Sequence, residues 1–288
     1  MEYFIHIAIL VSIYGILGLS LNLIVGEAGL LSVTQAAFYG IGAYATALLL
    51  VGSGVGFFLA ALFGALLTGI VALAIGVVLS RFKGDYYALG SFGFNVIAFS
   101  IFLNWQSVTR GPLGIPGIPR PEIFGFQFSD NFSFLILSVV FCLLTFAFCH
   151  FLTHSSFGRV LKSIREDEEA ISVFGYNTSY YKLVIFVVSA MLAAVAGSLF
   201  ASYITFIDPS SFSLNESIFI LAIIILGGLS SNRGAVVGAA FLIILPEALR
   251  FVGFPSDVAA QMRQVVYGLI LILLMLYRPQ GLLGEYRL

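Results

Sequence analysis

Charged side chains that could do chemistry are concentrated in one stretch of this sequence, from Ser155 to Lys182. Asp167, Glu168 and Glu169 suit the start of a second short helix within it, because the helix dipole favours negative charge there, and Gly175 suits the end of that helix. The charged residues of the stretch are Arg159, Lys162, Arg165, Glu166, Asp167, Glu168, Glu169 and Lys182. Helices that lie on lipid usually carry a basic polar face, so this acidic run favours docking to a protein over lying on a membrane.

The sequence lacks the common motifs of nucleotide-binding and catalytic sites that we considered. Lys83, Lys162 and Lys182 all lie outside the G-x-x-x-x-G-K-[ST] frame that cradles phosphate, and no G-x-S-x-G elbow occurs. The three histidines show no metal-ligand spacing with cysteine or carboxylate partners. The sequence therefore predicts no catalytic residue, no metal site and no nucleotide bound by this chain, although a membrane enzyme remains a third alternative.

Three carboxylates beside apolar segments are functional candidates, because an ionisable group is costly to place in a membrane. Glu27 precedes a glycine-rich stretch, whereas Asp208 and Glu216 bracket a short turn, Asp208-Pro-Ser-Ser-Phe. Helix capping and a transport role are both open for Asp208 and Glu216.

The elements that must position these residues are membrane helices. With 60% apolar residues, 9% charged residues and a mean hydropathy of +1.07, the chain is far from a soluble domain. We expect an all-α polytopic membrane protein with about eight to ten transmembrane helices, of which short ones such as 216–229 are half-helices or broken helices. The candidate spans are 4–25, 34–51, 56–80, 87–105, 132–153, 181–207, 216–229, 234–252 and 259–277.

Basic residues predict the orientation of these spans. If Ser155–Lys182 is cytoplasmic, nine lysines and arginines fall inside and four outside. The loop 106–131 is then external, and its proline and glycine content predicts a fixed, turn-rich surface. This loop is either a plain connector or a docking surface for an external partner. The net charge of −1 without a polybasic run gives no reason to expect nucleic-acid binding.

A weak internal repeat is also visible. Five small or apolar residues recur at one offset, Gly29, Leu31, Ser32, Ala37 and Gly40 as Gly227, Leu229, Ser230, Ala235 and Gly238. Repeats built on interrupted helices are common in transporters, whose substrate path lies near the breaks. Coincidence is an equal alternative here.

Four segments together resemble the membrane-spanning permeases of the branched-chain amino-acid ABC importers, the Liv type. They are Gly29–Tyr44, Gly84–Ile115, Gly158–Gly175 and Leu226–Ala239. Within the third, Glu169-Ala-Ile-x-x-x-Gly175 is similar to the EAA-type signature that docks in a cleft of the ATPase subunit.

The resemblance implies a single permease domain over 1–288, with a cytoplasmic coupling loop at about 155–181, in the cytoplasmic membrane of a bacterium or archaeon. It implies assembly in lipid with a second related permease, two P-loop ATPases that use ATP, and an external solute-binding protein. The implied ATPase-coupling residues are Gly158, Arg159, Arg165, Glu166, Asp167, Glu168, Glu169, Ala170 and Gly175. Thr109, Arg110 and Gly111 are the candidates for docking the external partner.

Departures from the family pattern affect the substrate. Val33-Thr34-Gln35 follows Ser32 where family members commonly have Leu-Gly-His or Leu-Gly-Gln, and Asn95 follows Gly93-Phe94 where they commonly have a charged pair. Candidate substrate-pathway residues are Ser32, Gln35, Asn95, Asp208 and Glu216. Branched-chain or related hydrophobic amino acids are the expected substrates. Urea or short amides, or a self-sufficient secondary transporter with carboxylates as ion-coupling groups, are the alternatives.

Overall fold

A computed structural model describes residues 2–123, 126–128, 130–250, 268–269, 272 and 280–284 of the chain. Within these ranges the protein is an all-α polytopic membrane protein with four very short strands. The predicted ninth span, 259–277, falls almost entirely outside the described residues.

Among the residues that the structure describes, six helices are long and apolar enough to cross a membrane. They are α1 Glu2–Asn22, which a π-helical turn extends to Glu27, α2 Gln35–Ser53, α3 Phe57–Leu79, α4 Asp85–Asn104, α6 Asn131–His154 and α9 Thr178–Ile204. Each matches a predicted span to within a few residues. Apolar runs of 19 to 27 residues account for this agreement, because about 20 such residues span a bilayer core.

Two further helices form a bent pair. Helix α10, Leu214–Gly227, and helix α11, Asn232–Arg250, meet at a break of four residues with an angle of 119° between their axes. At 14 residues α10 is about 21 Å long, which is short of a 30 Å hydrocarbon core. The expected short or broken helix at 216–229 is therefore confirmed, and the pair counts as at most one additional span.

Helix α1 lies at the centre of the fold. It packs against α6, α9, α10 and α11, and the residues from Ile13 to Asn22 are almost all buried. Helices α2 and α9 pack closely because small residues line their contact. A Cβ on Gly42 would lie 2.4 Å from Ala194 Cα, and one on Gly197 would lie 2.1 Å from Tyr39 O. Glycine at these positions therefore permits the close helix contact.

The loop between α4 and α6 is ordered by short elements rather than by a long helix. It holds helix α5, Gln106–Thr109, a 3₁₀ turn at Gly111–Leu113, and strands β1 Ile115–Pro116, β2 Glu122–Ile123 and β3 Phe126–Gln127. Strand β1 pairs with β4, Phe206–Ile207, which follows α9, whereas β2 pairs with β3. The predicted turn-rich surface is therefore confirmed.

Helices α7, Ser156–Glu166, and α8, Glu168–Val173, lie at the other end of the molecule. We refer to this end as the coupling face and to the end with the α4–α6 loop as the opposite face. Glu2 accepts a 2.8 Å hydrogen bond from Asn131 on the opposite face, whereas Glu27 lies beside Lys162 on the coupling face. Helix α1 thus runs from one face to the other.

Candidate functional site

Local sequence determines how α7 and α8 form. The Ser155 hydroxyl accepts a 3.3 Å hydrogen bond from Gly158 N, and the Asp167 carboxylate accepts one of 3.0 Å from Ala170 N, so each helix has a side-chain N-cap. Glu168 and Glu169 occupy the first turn of α8. Gly175 follows the helix with φ of +89°, a conformation that glycine adopts without strain. The predicted second short helix is therefore present.

One side of the α7–α8 pair faces away from the protein. Val173 is 86% exposed and Phe174 78% exposed at the end of α8, which is unusual for large apolar side chains. The exposed residues of this pair also include Arg159, Glu166, Asp167 and Glu169, and Gly175 just after α8 is exposed as well. We call Arg159, Glu166, Asp167, Glu169, Val173, Phe174 and Gly175 the outward surface. This surface combines the exposed apolar side chains of Val173 and Phe174 with exposed acidic side chains.

The other side of the pair is fixed to the transmembrane helices. Leu161 and Ile164 are buried, and Gly158 approaches the end of α6 so closely that a Cβ would lie 2.4 Å from Thr153 O. Glu168 forms an ion pair of 2.5 Å with Lys182 on α9 and accepts a 3.0 Å hydrogen bond from Thr178.

The charge environment of Glu168 favours its ionised form. Partial burial acts to raise the pKa of Glu168, but the hydrogen bond and charge of Lys182, the Thr178 hydroxyl and the charge of Lys83 together hold that pKa below its ordinary value. A cavity of about 250 Å³ opens beside this pair, between α8, α9 and the connection from α3 to α4.

A second cluster joins α7 to the end of α1. The Lys162 ammonium lies 3.6 Å from the buried Glu27 carboxylate, and the Arg165 guanidinium donates a hydrogen bond to Gly26 O. Gly29 has φ of +69°, and a Cβ there would lie 2.6 Å from Arg165 Cγ. Of the predicted coupling residues, Arg165 and Glu168 therefore point inward, whereas most of the others lie on the outward surface.

A helix break lies between Glu27 and α2, and Ser32 and Thr34 in its second half are buried. Residues 28–34 are not helical, and backbone groups at membrane depth must find partners within the protein. Val33 N donates to Ser91 Oγ at 3.0 Å, Val33 O accepts from Asn95 Nδ2 at 2.7 Å, and Ala36 N donates to Ser217 Oγ at 2.9 Å. Side chains of α4 and α10 thus satisfy the broken backbone.

Three of the predicted pathway residues, Ser32, Gln35 and Asn95, lie at this break, and all are fully buried. Gln35 Nε2 donates to Ser20 Oγ at 2.5 Å, and the Ser32 and Thr34 hydroxyls are 2.9 Å apart. Within the described part of the chain, Gln35 Oε1 and Asn95 Oδ1 have no hydrogen-bond partner. We call this set the buried polar cluster; its members are Ser20, Ser32, Thr34, Gln35, Ser91, Asn95, Ser189 and Ser217.

An open cavity of about 200 Å³ reaches this cluster from the side. Asn95 lines it together with Val96 and Phe99 of α4 and with the start of α10, Ser213 to Asn215. The buried polar cluster is therefore next to a cleft between α4 and α10.

Asp208 and Glu216, the other predicted pathway residues, lie elsewhere. The Asp208 carboxylate accepts hydrogen bonds from the Ser210 and Ser211 hydroxyls at the start of the 3₁₀ turn Pro209–Phe212. Burial acts to raise the pKa of Asp208, but these hydroxyls and the backbone amides of the same serines hold it below its ordinary value. Glu216 accepts a 2.5 Å hydrogen bond from the Tyr14 hydroxyl on α1, one residue before Ser217.

The predicted external docking residues form a tight corner on the opposite face. The Thr109 hydroxyl donates to Phe102 O at 2.7 Å and so caps the end of α4. Arg110 is exposed with φ of +57°, and a Cβ on Gly111 would lie 2.8 Å from Leu103 O. Thr109 and Gly111 therefore shape the corner that presents the Arg110 side chain.

Sequence reasoning missed several of these residues. Ser91 and Ser217 resemble ordinary small residues within apolar helices, and only the fold brings them to the α2 break. Val173 could have been found from the sequence, because Val173 and Phe174 are adjacent large apolar residues at the end of a short acidic helix.

Comparison with known proteins is consistent with this architecture. The family model described as the branched-chain amino acid transport system / permease component matches residues 3–275. The permease protein LivM of the high-affinity branched-chain amino acid transport system of Escherichia coli (strain K12) is 35% identical over 306 aligned residues, covering 98% of this chain and 70% of the relative. LivH of the same organism is 30% identical over 300 residues, covering 95% and 92%.

A more distant archaeal relative, the probable LivM of Methanocaldococcus jannaschii, is 25% identical over 246 residues, covering 81% of this chain and 70% of the relative. No solved structure matches the chain. The family model covers nearly the whole chain and two relatives reach 30% identity or more over nearly all of it, so this chain belongs to the family of branched-chain amino acid transport permease components.

Proposed function

We propose that this chain is the membrane-spanning permease subunit of an ATP-driven ABC importer for branched-chain or related hydrophobic amino acids, in the cytoplasmic membrane. The motor is a pair of separate P-loop ATPases on the coupling face, which is cytoplasmic. A solute-binding protein delivers the substrate to the opposite face, where Arg110 is presented. The chain itself binds no nucleotide and catalyses no reaction.

The outward surface is the observation that carries this proposal. Val173 and Phe174 would be exposed to water in an isolated subunit, although each would gain free energy by burial of its apolar surface. The inner side of the same helices is fixed by the Glu168–Lys182 and Glu27–Lys162 pairs. A partner that moves the outward surface would therefore move α1 and α9 as well.

The substrate path is proposed to run beside the buried polar cluster. Helix α4 is mostly exposed, and the cleft at Asn95 lies between it and the start of α10. A second permease subunit that covers this side would turn the cleft into an enclosed path. LivM and LivH, the relatives named above, are two distinct permease proteins of one transport system, which supports a two-permease assembly.

The test is reconstitution of the chain with its second permease, its ATPases and its binding protein in proteoliposomes. Uptake of labelled leucine is measured in competition with isoleucine, valine, urea and acetamide. The proposal predicts that isoleucine or valine competes and that urea and acetamide do not. Absence of leucine uptake, together with uptake of labelled urea or acetamide by the same complex, would support a permease for short amides instead.

A further inference from the structure

Three separate segments of the chain converge on one carboxylate at the coupling face. Glu27 ends the π-helical turn Leu23–Glu27 and is only 1% exposed. Its Oε1 atom accepts a 3.1 Å hydrogen bond from the Ser230 hydroxyl, and its Oε2 atom faces the Lys162 ammonium at 3.6 Å. Ser230 lies in the break between α10 and α11, and Lys162 lies on α7.

Neighbouring contacts hold the two helix breaks against each other. Asn22 Oδ1 accepts a 3.0 Å hydrogen bond from Ser230 N, and Asn22 Nδ2 lies 3.3 Å from Asn232 Oδ1. A Cβ on Gly26 would lie 2.6 Å from Ser230 N, so only glycine allows this approach. The end of α1 and the α10–α11 break are therefore in direct contact, and Arg165 ties α7 to the same place through Gly26 O.

We propose that Glu27 is a positioning residue that transmits movement of α7 to the α10–α11 break. This inference rests on the proposed function, because it assumes that an ATPase moves α7. A π turn in a helix is frequently found at functional sites. Burying a carboxylate is also costly unless it is paired and hydrogen-bonded, and here its two partners come from two different elements.

The geometry explains how one side chain can act on two elements. At 3.6 Å the Lys162–Glu27 contact is too long for a hydrogen bond, although the charges attract strongly in a partly buried site. A small movement of α7 can therefore close or open this contact. Because the same carboxylate holds the Ser230 hydroxyl, a change in its position changes the hydrogen bond at the α10–α11 break.

The backbone between α10 and α11 has an uncommon conformation. Ser230 has φ of +62° and Gly228 has φ of +110°, so the segment between the helices is held in a conformation that L-residues rarely adopt. Helix α10 begins beside the cleft at Asn95 and carries Ser217 of the buried polar cluster. Movement at the α10–α11 break would therefore reach the proposed substrate path.

The experiment compares Glu27→Gln, Lys162→Gln and the double variant in the reconstituted complex, with Asp85→Asn as a control. Glu27→Gln keeps the size of the side chain and an oxygen for Ser230, but it removes the charge that attracts Lys162. Asp85 is an exposed carboxylate in the first turn of α4, outside the contacts that join Lys162, Glu27 and Ser230. The readouts are leucine transported per ATP hydrolysed and amide hydrogen exchange of residues 226–234 with and without ATP.

Each single variant is expected to lower transport per ATP by roughly two- to thirtyfold, the range for coupling residues, with the ATPases still bound. The double variant should be no worse than the single ones, because the pair acts as a unit. The ATP-dependent change in hydrogen exchange at 226–234 should disappear in the variants and persist in Asp85→Asn.

Wild-type transport per ATP in both single variants, or additive losses in the double variant, would overturn the inference. If Glu27→Gln fails to assemble, Lys162→Gln and Ser230→Ala test the relay from its two ends, and wild-type coupling in both would also overturn it. If the wild-type complex itself shows no ATP-dependent uptake, the proposed function fails. If the wild-type complex shows ATP-dependent uptake and the variants transport as much leucine per ATP as it does, the proposed function stands and this inference fails.

Discussion

Asn95 on α4 donates a hydrogen bond of 2.5 Å to Ser217 on α10, and both side chains are fully buried. The same Asn95 amide holds the carbonyl of Val33 in the break before α2. One side chain thus joins three elements around the proposed substrate path.

Substitution Asn95→Ala should lower leucine uptake while leaving ATPase binding intact. It leaves Val33 O without its donor, and an unsatisfied buried group costs about 1–3 kcal/mol. Asn104→Ala is the matched control, because Asn104 lies on the same helix, is exposed and bonds to Ser100 O within its own turn. Uptake kinetics and ATPase co-purification of both variants distinguish the cases. Equal uptake by the two variants would remove Asn95 from the path.

Substitution Phe174→Ala should weaken ATPase docking without destabilising the permease. Phe174 is exposed, so its removal should change the free energy of unfolding by no more than about 0.5 kcal/mol. Phe151→Ala is the control, because Phe151 is a phenylalanine of similar exposure on α6, outside the outward surface. The ATPase affinity of the detergent-solubilised permease is the measurement. A Phe174→Ala affinity equal to that of Phe151→Ala would contradict the docking role of the α8 tip.

The pair of Glu168 and Lys182 predicts how acid affects α8. Because the folded-state pKa of Glu168 is lowered, its contribution to stability is complete above the ordinary glutamate pKa of about 4.3 and is lost only as pH falls through the lowered value. The contribution is modest, since 34% of the Glu168 side chain is exposed. Amide protection of Ala170–Val173 should therefore stay constant from about pH 8 to about pH 5 and fall on further acidification.

Lys182→Met provides the control for this prediction. Without the hydrogen bond and charge of Lys182, less opposes the effect of burial on the pKa of Glu168, so that pKa lies closer to its ordinary value and the loss of protection on acidification should be smaller than in the wild type. A wild-type protection that already falls between about pH 8 and about pH 5 would mean that Glu168 does not hold α8 in this way.

Much of the fold could be predicted from the sequence, and the reason is physical. Long continuous apolar runs place α2, α3 and α6 to within a few residues, and the acidic run before Gly175 places α8. The lengths of the apolar segments also identify α10 as too short for a simple crossing.

The pairing of elements could not be predicted in the same way. Ser217 partners Asn95, and Lys162 partners Glu27, only because the helices fold against one another, and no spacing in the sequence encodes these contacts. Similarly, Asp208 was a pathway candidate because it is charged near a span, whereas its carboxylate bonds to the adjacent serines Ser210 and Ser211. Residues that are close in the sequence are also close in space within one turn, but the sequence does not show which residues of different helices meet.

Arg110 on the opposite face should matter to an external partner alone. Arg110→Asn removes the guanidinium and keeps a residue that tolerates the left-handed conformation at φ of +57°. Binding of the solute-binding protein should weaken, whereas ATPase binding and thermal stability should not change. Unchanged affinity for the binding protein would leave the corner at Thr109 to Gly111 as a connector.

The energy source of transport tests the central claim most directly. Uptake of labelled leucine into proteoliposomes containing the complete complex is measured with ATP present or depleted inside, while ionophores abolish every ion gradient. We predict that uptake continues with ATP and without gradients, and that it stops when ATP is depleted. Uptake that persists without ATP but disappears with the ionophores would contradict this account and identify a self-sufficient secondary transporter.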